Sequence, residues 1–213
     1  MTPDARRPKA ASARYPTGLD NEKDSKMFGE IARFLLNTIF TLFGAALILR
    51  VWLQAVRVPP YNPVTQAVLQ VTNWLVLPLR HIVPGVRGVD WASIVAAVVT
   101  SLVYVALMVT MAGVDALSII PTILVVALLT VVKWALNLVL WLTILMALLS
   151  WLNPRSPAMA ILYQLTAPFL NPLRRLIPHL GGIDLSPILL FVIVQVLIMI
   201  VTRAAVSLTL FGI

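Results

Sequence analysis

Four long apolar runs, separated by stretches where apolar and polar positions alternate at helical spacing, set the plan of this chain. The first runs from about Met27 to Val56 and carries no charge between Arg33 and Arg50. The second runs from Trp91 to about Gly113, and residues 92–112 are uncharged. That approaches the ~20 residues needed to cross a ~30 Å hydrocarbon core. The third extends from Leu117 to Asn153 with Lys133 as its single charge. The fourth starts at Ser186 or Pro187 and holds Arg203 in its second half.

The third run decides the topology. As one helix it would be roughly 50 Å long at ~1.5 Å per residue, more than one crossing needs. Two crossings would require a turn near Lys133, yet no Gly or Pro lies between Pro121 and Pro154. The expectation is one crossing, mainly residues 134–152, preceded by an interfacial or tilted start; a fifth span is the alternative. Four spans make the two halves parallel, and five would invert them.

Shifting the chain by 94 positions aligns Pro60–Ile94 with Pro154–Ile188 without a gap. The identities include Pro60/Pro154, Pro63/Pro157, Gln70/Gln164, Thr72/Thr166, Pro78/Pro172, Arg80/Arg174, Pro84/Pro178, Gly88/Gly182 and Asp90/Asp184. Chance matches in an apolar chain would mostly be Leu, Val or Ala, so this is an internal repeat. Each unit reads as a span, a Pro-bounded amphipathic piece, a P-L-R-x-x-x-P turn, G-x-D, and a second span.

In the amphipathic piece, Asn62-Pro63 and Ser156-Pro157 place a capping side chain before a Pro at the first helical position. Val64, Ala67, Val68, Val71 and Leu75 then share one face, with Gln66, Gln70 and Asn73 opposite. Ala158, Ile161, Leu162, Leu165 and Phe169 repeat the apolar face. Such a helix is too short and too polar to span. It is expected to lie in the headgroup plane, or to re-enter between the spans. The expected fold is thus an all-α membrane protein of about four transmembrane helices in two tandem repeats. A polar, disordered tail over 1–26 precedes a membrane repeat over 27–113 and another over 114–213.

Composition sharpens this picture. The chain is 60% hydrophobic and 11% charged, against about 25% charged in soluble domains. Its net charge is +8. Residues 1–26 contribute +2 of that, and the membrane portion the rest. An anionic lipid bilayer is the expected counter-charge. Nucleic acid is not an expected partner, because no basic stripe with interleaved aromatics lies outside the apolar runs. Seven Lys/Arg fall on each side of the expected membrane, so the positive-inside rule leaves orientation open. There is no cysteine, which excludes disulfides and thiol chemistry.

The stretches Arg50-Val-Trp-Leu-Gln54, Tyr61-Asn-Pro63, Pro78-Leu-Arg80, Thr166–Pro178 and Gly181–Pro187 resemble the YggT family, also called YlmG-like. The resemblance covers about residues 30–213 and is strongest in the second copy. The first copy departs from it, with His81 where Arg175 stands and Arg87 in place of Gly181. The resemblance implies a small, multi-pass membrane protein of bacterial and plastid lineages. It links relatives to osmotic or ion homeostasis, cell division or nucleoid placement, and maturation of a plastid membrane cytochrome, with no established reaction. A bacterial inner membrane is the expected location.

Beyond the tail the acids are Glu30, Asp90, Asp115 and Asp184. Asp90 and Asp184 each follow a repeated arginine by ten residues and stand just before an apolar run. One reading is helix capping, where a carboxylate satisfies free N–H groups and favours the helix dipole. The other is a candidate ion or partner site formed by Arg80, Asp90, Arg174, Arg175 and Asp184, since ionisable groups near a membrane interior are costly. Arg50, Arg57, Arg80, Arg174 and Arg175 are expected to contact lipid headgroups, and Lys133 to snorkel. His81 and His179 lack ligand spacing, so neither a metal nor a cofactor is expected. No hydrolase, nucleotide-binding or metalloprotease motif occurs, and no catalytic residue is assigned.

Two functions follow from these patterns. One is a non-enzymatic membrane scaffold or assembly factor that binds lipid and membrane-protein partners or another copy of itself. The other is a small channel or transporter subunit for ion or osmotic balance.

Overall fold

The structure, a computed structural model, describes residues 17–83, 85, 90–176 and 184–211. Its regular elements are helices: α1 Thr17–Ala55, α2 Pro63–Ile82, α3 Trp91–Met111, α4 Ile120–Leu152, α5 Pro157–Leu176 and α6 Ser186–Phe211. A 3₁₀ turn, Ala116–Ile119, leads into α4. Four stretches among the described residues are long and apolar enough to cross a membrane: Lys26–Ala55, Trp91–Met111, Ala116–Leu152 and Ser186–Thr209. The order long, short, long therefore occurs twice, and the chain is an all-α membrane protein.

The chain divides into a compact unit ending at Leu35 and a second from Leu36 to Ile213. In the first, α1 begins at Thr17, upstream of Met27. Residues 17–26, which their polarity assigns to the tail, thus continue the helix. Extending an existing helix costs little per residue, because nucleation is the expensive step. The remainder of the expected tail, residues 1–16, lies outside the described residues.

In the second unit, α4 is one uninterrupted helix of 33 residues. It starts at Ile120, well before residue 134, with Pro121 in its first turn, and it passes through Lys133 unbroken. Without Gly or Pro to end it, the helical ladder simply runs on. It packs on α3, α5 and α6. Trp134, 3% exposed, lies where α1 comes close. A Cβ on Gly44 would sit 2.1 Å from the Trp134 ring, so the contact depends on glycine. Tyr104 of α3 completes this junction, with ring centroids 5.6 Å from Phe40 and 6.0 Å from Trp134. Its hydroxyl donates to Asn37 Oδ1 at 2.9 Å.

The short helices depart from the expected pattern in two ways. Their prolines do not end them. Pro78 lies inside α2, and Pro168 and Pro172 lie inside α5. A proline removes one N–H and clashes with one carbonyl, which kinks a helix without obliging it to stop. Arg80 and Arg174 consequently sit in a last helical turn, where positive charge favours the dipole. The closing Pro84 and Pro178 of the expected turns, with Arg87, Gly88, His179, Gly181 and Gly182, lie outside the described residues.

The second departure concerns the buried face of α2. Thr65, Thr72 and Val76 are buried, whereas Val64 and Val71 of the expected face are exposed. The protein-facing stripe is offset by about one residue, because α2 leans on α3 with one flank and leaves its apolar crest uncovered. In α5 the expected face packs: Leu165 is buried, and Ile161, Leu162 and Phe169 join the same clusters. Both caps form as the sequence predicts. Asn62 Oδ1 accepts from Val64 N at 2.9 Å, and Ser156 Oγ accepts from Met159 N at 3.2 Å.

Candidate functional site: a carboxylate and its arginines in each repeat

Asp90 precedes the first turn of α3, and its position there gives it two sets of donors. Its Oδ1 faces Ser93 N at 3.4 Å, and its Oδ2 accepts from Ser93 Oγ at 2.7 Å. Arg80, in the last turn of α2, donates to the same Oδ2 at 2.7 Å. The third partner is Arg50 of α1, whose Nε lies 3.3 Å from Oδ2. Arg50 also donates through Nη1 to Thr72 Oγ1 at 2.8 Å and Asn73 Oδ1 at 2.9 Å. Three helices therefore meet on one carboxylate.

This arrangement corrects the expectation for Arg50. It does not reach out to a headgroup; it is 4% exposed, and Asp90 is 2% exposed. The reason is local: Arg50 lies a full turn before the end of α1, facing α2, where Thr72 and Asn73 offer oxygens. Asn73 likewise leaves the polar crest to which its spacing assigned it. Burial alone pushes the Asp90 carboxyl up. Hydrogen bonds from Arg80 and Ser93, with the guanidinium charges of Arg80 and Arg50, outweigh that and hold it below the usual carboxylate range.

The second repeat builds a looser version. Arg174 Nε donates to Asp184 Oδ2 at 2.8 Å, and Asp184 Oδ1 accepts from Ser186 N at 3.0 Å. Tyr163 hydrogen-bonds Arg174, and its ring centroid lies 5.0 Å from the guanidinium carbon. The Asp184 side chain is 34% exposed. Burial again pushes up, and the bonds from Ser186 and Arg174 again win, so the Asp184 carboxyl is lowered. No second arginine enters, because the position matching Arg50 is Ile144. Thr166, matching Thr72, instead contacts Met146 Sδ at 3.0 Å.

Capping and ion pairing thus fall on the same carboxylates. Arg80 and Asp90 come together, as do Arg174 and Asp184; Arg175 is exposed beside its pair. Arg57 is exposed too, in a left-handed conformation with φ 58°. It closes α1 through a Schellman motif: Arg57 N donates to Gln54 O at 3.1 Å and Val58 N to Leu53 O at 2.9 Å. Among the described residues, no three His, Asp or Glu side chains gather as a metal site would require. Ser93 and Tyr163 carried no signal in the sequence, and Asn73 stood there only as part of the polar face of α2. Thr72, identical to Thr166 in the repeat, carried a signal.

The two halves are also joined directly. Trp52 Nε1 donates to Leu165 O at 3.1 Å, and its ring stacks on Phe169 at 5.1 Å. Gln164 Nε2 donates to Val56 O at 2.8 Å. The end of α1 is thereby pinned to α5 of the other repeat.

The CCB3/YggT family model matches this chain twice, over residues 29–111 and 125–205. The chain belongs to the CCB3/YggT family. Its two matched segments are the two repeats, each carrying one of the Arg–Asp pairs. Among similar proteins is one encoded in the proC 3′ region of Vibrio alginolyticus, 37% identical over 76% of this chain and 88% of that one. The YggT protein of Escherichia coli K12 is 35% identical over 77% of this chain and 85% of its own length. Protein PA0392 of Pseudomonas aeruginosa is 34% identical over 84% and 91%. None of these names states an activity. No solved structure matches the chain.

Proposed function

We propose that this CCB3/YggT-family protein is a non-enzymatic scaffold or assembly factor of the bacterial inner membrane, serving membrane organisation, cell division or stress homeostasis. The observation that supports this most is where the polar groups of the spans spend their hydrogen bonds. Thr100 donates to Ala96 O, Ser101 to Val98 O, Thr130 to Val126 O and Thr143 to Val139 O, all within their own helices. A selective pathway needs polar groups presented to an ion, and these hydroxyls are turned back on the backbone. The apolar crest of α2 supports the same reading. Val64 and Val71 are exposed there, a surface suited to lipid or to the span of a partner or second copy. The outward arginines Arg57 and Arg175 suit an anionic headgroup layer.

A second reading is a small channel or transporter subunit for ion or osmotic balance. It draws on the recurrence of one ion pair at the same place in both halves. Proteoliposomes holding the purified protein separate the two. The scaffold reading expects K⁺, Na⁺ and Cl⁻ fluxes equal to those of protein-free vesicles. A flux that Asp184→Asn abolishes without lowering the amount of protein in the vesicles would put the channel first.

A further inference from the structure

The first repeat holds a cavity of about 440 Å³ between the end of α1 and the start of α2. Arg50, Arg57 and Arg80 line it, with Gln54 and Thr65 beside them and Leu53, Val58, Pro59, Pro60, Val68 and Leu69 as apolar walls. Asp90 bonds two of these arginines, so three positive charges are answered by one negative. Arg57 adds a charge that the carboxylate does not reach, held at the rim by the Schellman turn. Thr65 is 8% exposed, and its hydroxyl is the buried side-chain polar atom that has no hydrogen-bond partner among the described residues. Buried donors are ordinarily satisfied, so this one lacks its partner. It lies in the first turn of α2, whose positive dipole end also favours an anion.

The second repeat gives an internal control. The positions matching Arg50, Gln54, Arg57 and Thr65 are Ile144, Leu148, Trp151 and Met159. Ile144, Leu148 and Trp151 instead line a separate, smaller apolar cavity of about 230 Å³ against α6, with Ala147, Pro187 and Phe191. The same face of the first span is thus cationic in one repeat and apolar in the other. A purely structural helix end would not require that difference.

We infer that the cavity of the first repeat binds a phosphate group at its Thr65 end, with Thr65 donating to one of its oxygens and Arg57 opposing its charge, while Arg50 and Arg80, held by Asp90 farther along the cavity, add positive potential from a distance. An arginine and an unpartnered hydroxyl on one cavity wall, in a net positive surrounding, suit an oxyanion. The apolar walls accommodate the glycerol and acyl portion of a phospholipid, while inorganic phosphate would use the polar end alone. The inference is independent of the scaffold reading, since either a scaffold or a channel could hold such a group.

The test uses the full chain purified in a neutral detergent and native mass spectrometry. Phosphatidylglycerol, phosphatidylcholine and inorganic phosphate are titrated separately. Two variants are compared with the wild type. Thr65→Val removes a hydroxyl that no group among the described residues uses, and Arg57→Gly removes a charge while suiting the left-handed turn. Both should keep the wild-type thermal midpoint or raise it. The wild type should take up phosphatidylglycerol in preference to phosphatidylcholine, whose choline cation meets the arginines. Each variant should weaken phosphatidylglycerol binding by about tenfold, the weight of one charge-assisted hydrogen bond. If inorganic phosphate displaces the lipid at comparable concentration, the phosphate site stands and the free anion is its ligand. If it does not, the lipid-borne phosphate is. Equal binding of phosphatidylglycerol by the wild type and both variants would overturn the inference, as would equal uptake of the two lipids.

Discussion

The Asp90 carboxylate shows how much can hang on one residue. Arg50 is buried with it, and removing one member of a buried pair costs about 3–5 kcal/mol, because the other charge is left uncompensated. Asp90→Asn should therefore lower the denaturation midpoint far more than Asp184→Asn. The Asp184 pair is partly exposed and contributes about 1 kcal/mol through pairing and capping together. Denaturant unfolding of both variants in detergent, followed by tryptophan fluorescence, checks the order. Equal losses would mean that Arg50 finds another partner. The pH dependence has a definite sign. Both carboxyls are lowered in the folded protein, so their stabilisation is complete above the unfolded pKa of about 3.9 and is lost as pH falls below it toward the folded values. Thermal midpoints should thus drop on acidification below about pH 4. The combined Asp90→Asn/Asp184→Asn variant should lose that part of the slope.

At the scale of elements, the close approach of α1 to α4 rests on Gly44 facing Trp134. A methyl group there must displace a buried indole, and overpacking of this kind costs about 1–3 kcal/mol. Gly44→Ala should lower the midpoint accordingly, and Gly44→Ala/Trp134→Leu should recover part of the loss. A double-mutant cycle on thermal midpoints reads the coupling, and strict additivity would refute the contact. The helices themselves were legible in the sequence to different degrees. The long apolar runs declared α3 and α6 nearly to the residue, because a run apolar on every face, whether it meets protein or lipid, leaves no other reading. The prolines of α2 and α5 misled, since they mark where a helix bends as readily as where it stops. The offset of α2 was hidden for a different reason. Periodicity gives an apolar stripe but not which flank of it meets protein and which meets lipid, as both environments accept Val and Leu.

For the whole molecule, the continuous α4 leaves four candidate crossings, and four crossings would set the two repeats parallel. The chain has no cysteine, so single cysteines report sidedness without background. Tyr61→Cys and Arg155→Cys occupy matched places in the two repeats. Both should react with an impermeant thiol reagent from one face of the membrane, and Val114→Cys from the other. Labelling of Tyr61→Cys and Arg155→Cys from opposite faces would restore the inverted, five-span arrangement. The repeat was plain in the sequence because it is written in Pro, Arg and Asp. The Arg–Asp pairing could be inferred from its spacing of ten. The third partner could not. Arg50 stands 40 residues from Asp90 and 22 from Thr72, and only the placement of α2 against α1 joins them.

That separation also sets an order of events. During synthesis Arg50 emerges from the ribosome ahead of the carboxylate that neutralises it. At about 5–20 residues per second, Asp90 follows some 2–8 seconds later. Throughout that interval the end of α1 carries a bare guanidinium that the hydrocarbon refuses, so the helix must wait with Arg50 at the water boundary. Only when α2 and the start of α3 have emerged can α1 settle to its final depth. The first span is therefore expected to reach its final depth only after Asp90 has emerged, and a nascent chain arrested before Asp90 should leave α1 more accessible at its Arg50 end than one arrested after it.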